Sequence, residues 1–229
     1  MSCCGLAREE IQKGAQMRSL ECRFAVSRLS WIATLALALI AGPALAQKAD
    51  RPTVKVGDRW LFAMFYGADP SAIRVSDRLW VITSVTSAAI EGTENGEKLV
   101  LTPELNNIES PERKDSDLWL LNFPLEVGKK WSFDDDFVNY ATQGQGRFNV
   151  TAEVVGYEEL VVLAGKFEAF KLEAKGSWLV HGNSGETAWT YWYAPAARAV
   201  VKSEYRHTYT TTSKTTVRTT ELAKFELQP

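Results

Sequence analysis

The sequence predicts an all-β fold: a single antiparallel, strongly curved sheet or half-open barrel of about ten strands, with little helix. Three observations carry this. Apolar and polar residues alternate strictly through several segments. Turn signals separate those segments at roughly 10 to 15 residues. No strand–helix–strand rhythm is present, which argues against a parallel sheet.

The clearest alternation is Arg147-Phe-Asn-Val-Thr-Ala-Glu-Val154, with Phe148, Val150, Ala152 and Val154 on one face. Phe170-Lys-Leu-Glu-Ala-Lys175 repeats it, as do Ala223, Phe225 and Leu227 with Lys224 and Glu226 between them. A period of two with one apolar face marks antiparallel strands that cover a core on one side. Further strands are expected at Trp60–Tyr66, Arg78–Thr86, Lys98–Thr102, Leu118–Phe123, Trp131–Phe133, Ser177–His181, Thr187–Tyr193 and Arg198–Arg206. Glu94-Asn95-Gly96-Glu97 is a hairpin turn, because Asn-Gly accepts the positive φ such turns demand. Ala164-Gly165, Asn183-Ser184-Gly185 and Ala194-Pro195-Ala196-Ala197 read as further corners.

Two segments stand apart. Residues 103–117 are polar, carry two prolines and read as a surface loop, with a lid or contact loop as the functional alternative. The threonine run between Thr208 and Thr220 suits a hairpin turning near Thr212-Ser213-Lys214. Its functional alternative is a strand edge that pairs with a partner.

Residues 1–46 read as a secretory leader. Arg18, Arg23 and Arg28 precede the uncharged run Trp31–Ile40; Gly42-Pro43 breaks a helix; Ala44-Leu45-Ala46 fits a cleavage site, with cleavage after Ala46. The apolar run is half the length of a membrane span. Glu9 and Glu10 are out of place in a leader, so residues 1–16 fit a start assigned too early, with Met17 as the true one. The remainder, 47–229, is expected to be one β domain. All three cysteines, Cys3, Cys4 and Cys22, lie in the leader, which excludes disulfides, thiolate metal sites and lipid attachment at Gln47. The leader holds five of the 26 basic and three of the 28 acidic residues, leaving a net of about −4. That balance points away from nucleic acid. A periplasmic or secreted protein without stable membrane insertion is expected.

Val56-Gly57-Asp58-Arg59-Trp60 and Val127-Gly128-Lys129-Lys130-Trp131 share the pattern Val-Gly-x-basic-Trp. Each sets a glycine turn before a strand that opens on tryptophan, one device used twice. Around the second copy, Phe123-Pro-Leu-Glu-Val-Gly-Lys-Lys-Trp131, Ala164-Gly165-Lys-Phe167-Glu-Ala-Phe-Lys171, Trp192-Tyr-Ala-Pro195 and Val200-Val-Lys-Ser-Glu-Tyr205 resemble, in order, the exported bacterial proteins of the DUF3108 type, including those called TapB-like. The resemblance covers roughly 123–227. It implies a curved antiparallel sheet or open barrel in the cell envelope and brings no catalytic residues.

No constellation of catalytic or metal-ligating residues stands out, and no cofactor is implied. His181 and His207 lack a second histidine at metal-ligand spacing and read as exposed strand ends. Asp134-Asp135-Asp136 reads as a solvated turn; calcium, its alternative, lacks the alternating-ligand spacing. Gly-x-Ser-x-Gly is absent, and Gly144-Gln-Gly146 is no phosphate loop. The richest resource is aromatic. Along Thr187–Tyr193, Trp189, Tyr191 and Tyr193 share one face and Trp192 takes the other. These four are the candidate ligand-binding residues. The leading expectation is a non-catalytic binding or envelope-accessory protein holding a hydrophobic small molecule or an envelope protein. The alternatives are a hydrolase or lyase acting on envelope polymers through a carboxylate pair, and a structural module pairing through the threonine-rich edge.

Overall fold

A computed structural model describes residues 47–67, 72–141 and 143–229. The leader, its cleavage site and the start-site question lie outside the described residues.

Among the described residues fourteen strands follow in order: β1 (Lys48–Ala49), β2 (Arg59–Tyr66), β3 (Ile73–Val85), β4 (Ile90–Glu94), β5 (Glu97–Leu101), β6 (Asn107–Glu109), β7 (Arg113–Lys114), β8 (Leu125–Glu126), β9 (Lys130–Asn139), β10 (Gly144–Val162), β11 (Gly165–Val180), β12 (Asn183–Ala194), β13 (Ala199–Tyr209) and β14 (Thr215–Glu226). A 3₁₀ turn, Pro195–Ala197, fills the corner expected at Pro195. Twelve strands make one antiparallel sheet in the order β6-β5-β4-β3-β2-β14-β13-β12-β11-β10-β9-β7, and β1 pairs with β8.

The sheet curls until its two ends meet. Edge strands β6 and β7 are joined by the turn 110–112, a bridge pairs Ser110 with Arg113, and Ser116 N–H donates to Ile108 C=O at 3.1 Å. The segment 103–117 is therefore the seam of a nearly closed barrel and not a surface loop. Its Asn106, Ser110 and Ser116 are buried. Polar composition misled because the seam satisfies itself with side-chain hydrogen bonds, which apolar periodicity does not register. The sheet's twelve strands include β4, β6 and β7, which no expected segment covers, while 170–175 and 177–181 join in one strand, β11.

The threonine-rich segment is likewise placed differently. Its hairpin turns as expected, with Ser213 N–H donating to Tyr209 C=O at 2.9 Å. Yet β14 sits between β13 and β2 with both sides paired, so it is no edge. Threonine here reports a pleated surface, not an unpaired one. No strand forms over 118–123. The Asn106 side chain stands in for a neighbouring strand, accepting from Leu121 N–H at 2.7 Å and donating to Leu121 C=O at 2.8 Å. The corner placed at 183–185 falls two residues earlier, at His181 and Gly182, both with positive φ.

The repeated Val-Gly-x-basic-Trp device is isomorphous in its bonding. Gly57 and Gly128 have φ of 92° and 91°. Asp58 N–H donates to Lys55 C=O and Lys129 N–H to Glu126 C=O, each at 3.0 Å. Gly57 N–H then reaches Ile82 C=O and Gly128 N–H reaches Val154 C=O. Trp60 and Trp131 each donate Nε1–H to a chain carbonyl at 2.8 Å, Ala197 and Trp119 respectively. Both indoles are buried, so each needs that acceptor. The lead-in thus pins one end of β2 and of β9 by the same five-residue rule.

Two core clusters result. One is gathered from β9–β12 together with Ala49, Leu120, Leu121 and Leu125, around Trp131, Phe148, Val150, Leu172 and Tyr193. The other joins Trp60, Phe62, Ile82 and Leu101 to Trp192, Val201 and Leu222. The far end of the β10–β11 hairpin belongs to this second cluster through Val162 and Phe167. There Ala164 N–H donates to Leu222 C=O at 2.8 Å, beside the register shift between Leu222 and Lys224. Gly165, at φ 125°, lets the hairpin turn.

Candidate functional site

The concave face carries a continuous run of aromatic rings. Period-two alternation brings Phe137 of β9, Phe148 of β10, Trp178 of β11, Trp189 of β12, and Tyr205, His207 and Tyr209 of β13 to one cavity of about 410 Å³. Each ring touches the next. Phe137 stacks on Phe148 (5.2 Å between centroids), Phe148 meets Trp189 edge-on (5.1 Å), and Trp189 stacks on Tyr205 (5.5 Å). His207 stacks on Trp178 at 4.0 Å and accepts or donates a 2.8 Å hydrogen bond between Nδ1 and the Tyr205 hydroxyl. His207 is therefore half-buried among rings rather than an exposed strand end. Burial holds its pKa below the ordinary histidine value.

A second cavity of about 210 Å³ lies further along the same face, lined by Phe62, Trp80, Leu105, Leu120, Tyr191 and Val200 among others. Glu112, Arg113 and Arg218 line both cavities. Glu112 projects from the seam turn. It pairs with Arg218 of β14 at 3.1 Å and closely with Arg78 of β3. Arg78 also pairs with the buried Glu94 of β4 at 3.3 Å, and Trp80 Nε1–H donates to the same carboxylate at 3.0 Å. Arg218 lies over the Tyr205 ring and Arg113 over Phe137, at 5.5 and 5.3 Å.

The two lumen carboxylates differ in environment. Desolvation pushes Glu94 above the usual carboxylate range, more than the charge of Arg78 and the Trp80 hydrogen bond lower it. Desolvation also acts on Glu112, but Arg218 and Arg78 outweigh it and hold this carboxyl below the usual range. Asp135, by contrast, is structural. It lies in mid-strand on the inward face of β9, not in a solvated turn, and accepts from Arg113 Nη1 (3.0 Å), Ser116 Oγ (2.8 Å) and Asp117 N–H (2.8 Å). Among the described residues no group of three or more metal-ligating side chains is present.

The four aromatic candidates divide. Trp189 lines the larger cavity and Tyr191 the smaller. Tyr193 shares their face but is buried against Phe123 in the core, at 5.0 Å edge-on. Trp192 is on the opposite face, donates Nε1–H to Glu158 at 2.7 Å, and lies under Lys171 and Lys202. It lines neither cavity. The sequence reading missed Arg78, Glu112 and Arg218, which no local pattern marks. It also missed Tyr205-x-His207-x-Tyr209, whose alternation was readable.

No family model matches this chain, and no curated protein does either. The DUF3108-type resemblance thus has no matching model behind it. Among solved structures, a Bacteroides fragilis protein described as exported, with a YmcC-like fold, superposes with a TM-score of 0.51 at 11% identity, over 78% of this chain and 99% of its own. A Parabacteroides distasonis protein described as a lipoprotein gives 0.47 at 12%, over 77% and 98%. The lipoprotein YmcC from Escherichia coli gives 0.41 at 11%, over 72% and 84%. At these identities the likeness is one of fold, and the first of the three is similar to this chain in its curled antiparallel sheet.

Proposed function

We propose that this chain is an exported, non-catalytic binding or accessory protein of the bacterial envelope whose barrel lumen holds a small, largely apolar ligand. The observation that carries the reading is the 410 Å³ cavity walled by contiguous rings. Ligand sites of about 300–1,000 Å³ with mostly apolar walls and a few polar groups are the usual form of small-molecule pockets. Export rests on the leader at 1–46, and it accords with the description of the Bacteroides fragilis protein as exported. Native mass spectrometry of the protein purified from its own periplasm tests the reading. A bound species of a few hundred daltons, lost on substituting Trp189, is expected. A wholly unliganded protein that also fails to bind a neutral naphthylamine dye overturns it.

A carboxylate-pair hydrolase has one observation in its favour: Glu94 and Glu112 stand in the lumen with pKa values displaced in opposite directions. Both, however, are engaged by the same Arg78 guanidinium, so neither carboxylate is free of a partner. Turnover of envelope polysaccharide that disappears in Glu94→Gln would establish the hydrolase instead.

A further inference from the structure

We infer that the lumen is built for an anionic amphiphile: Arg218 and Arg78 form a seat for its charged head between the two cavities, and Glu112 is a resident carboxylate that the head displaces. The inference rests on the lumen-binding reading above and adds the chemical class of the ligand.

The argument begins with where the charges are. A purely apolar ligand needs no cation at the floor of its cavity, yet Arg218 and Arg113 both face the ring-lined cavity. Arg113 is committed, since its partner Asp135 is fully buried and held by two further donors. Arg218 is not committed in that way, and Arg78 divides between Glu112 and the buried Glu94. The anion they share, Glu112, comes from a seam turn and is 47% exposed, while the Arg218 side chain keeps 27% of its own surface. A guanidinium fork matches any planar or tetrahedral oxyanion as well as it matches Glu112. Removing Glu112 from the pair would leave Arg218 facing the cavity with Tyr205 beneath it. A ligand whose rings or chain lie against Phe148, Trp189 and Trp178 and whose carboxylate, sulfonate or phosphate reaches Arg218 would satisfy both parts of the site.

Two probes of the same shape separate the claims. N-phenyl-1-naphthylamine is neutral; 8-anilinonaphthalene-1-sulfonate is that molecule with an anionic group added. Titration calorimetry on the folded protein is expected to show the sulfonate binding about tenfold tighter than the neutral dye, one good charge-assisted contact. Glu112→Gln removes the competitor and should tighten the sulfonate by about a further tenfold while leaving the neutral dye unchanged. Arg218→Gln should erase the preference; Arg218→Lys, which keeps the charge without the fork, should retain part of it. Equal binding of both dyes, unmoved by Glu112→Gln, overturns the anion seat and leaves the apolar cavity standing. Failure of both dyes to bind the parent protein and Glu112→Gln alike overturns the seat and the lumen-binding reading together.

Discussion

Arg113 of β7, at the seam, and Asp135 of the neighbouring β9 meet at 3.0 Å, and Asp135 has no exposed surface. The carboxylate is also the acceptor for Ser116 Oγ and Asp117 N–H. It therefore binds the seam to β9 at three points. Asp135→Ala strands a guanidinium and two other donors, a loss of about 3–5 kcal/mol for a buried pair broken on one side. Asp135→Asn keeps an acceptor and should lose less. Urea unfolding followed by tryptophan fluorescence measures both; a cost under about 1 kcal/mol for the alanine variant would mean the seam is held elsewhere.

The repeated lead-in predicts a paired result. Gly128 and Gly57 occupy left-handed backbone, where a side chain costs about 1–2 kcal/mol. At Gly128 a Cβ would meet nothing within 4 Å, so Gly128→Ala isolates that backbone cost. At Gly57 the Cβ would stand 3.2 Å from the Gln228 side chain, an exposed group that can yield, so the cost should be similar. Gly156, in β10 without a positive φ and with open space beside it, is the control. Gly156→Ala should be neutral or slightly stabilising. Thermal melts of the three variants would contradict the device if Gly128→Ala and Gly156→Ala behaved alike.

How much could be read in advance depended on whether a signal was local. The alternation Phe148, Val150, Ala152, Val154 marked one face of β10, and all four are buried. The same rule applied to Trp131, Phe133, Asp135 and Phe137 would have placed Asp135 inward. Three consecutive aspartates instead suggested a solvated turn, because composition was weighed above register. Trp189 and Tyr191 were legible as lumen residues in the same way. The Glu112–Arg218 pair was not, since its members are 106 residues apart and only closure of the barrel brings them together. Register shifts interrupt the β2–β3, β3–β4, β5–β6, β10–β11, β12–β13 and β14–β2 pairings, and single bulges, which bend a sheet, leave no periodic trace.

Glu94 makes a prediction about pH. Its folded pKa is raised, chiefly by desolvation, above an ordinary value of 4.5. A carboxyl raised on folding contributes stability that is fully present below the unfolded value and lost as pH climbs through the folded one. Glutamine cannot ionise, so Glu94→Gln escapes that loss while still offering Trp80 an acceptor. The stability of Glu94→Gln relative to the parent should therefore rise between pH 4.5 and pH 7. Taking the difference between the two proteins cancels other titrating groups, His207 among them. Guanidinium denaturation at three pH values across that interval measures it, and a flat difference would mean that burial does not govern this carboxyl.

Trp189 and Trp192 are three residues apart on β12 and on opposite faces, which lets one strand test where the site is. Trp189 contributes a ring to the cavity wall between Phe148 and Tyr205. Trp189→Leu keeps apolar bulk but removes the stacking surface, worth about 0.5–1.5 kcal/mol per ring pair, so binding of N-phenyl-1-naphthylamine should weaken by about tenfold. Trp192→Phe removes the Nε1 hydrogen bond to Glu158 and part of an indole buried in the second core cluster. It should lower stability by about 1–3 kcal/mol and leave dye affinity as it was. Dye fluorescence titrations beside thermal melts separate the two effects. If affinity followed Trp192 instead, the outer face with Lys171 and Lys202 would be the binding surface, and the aromatic lumen would be core with space left in it.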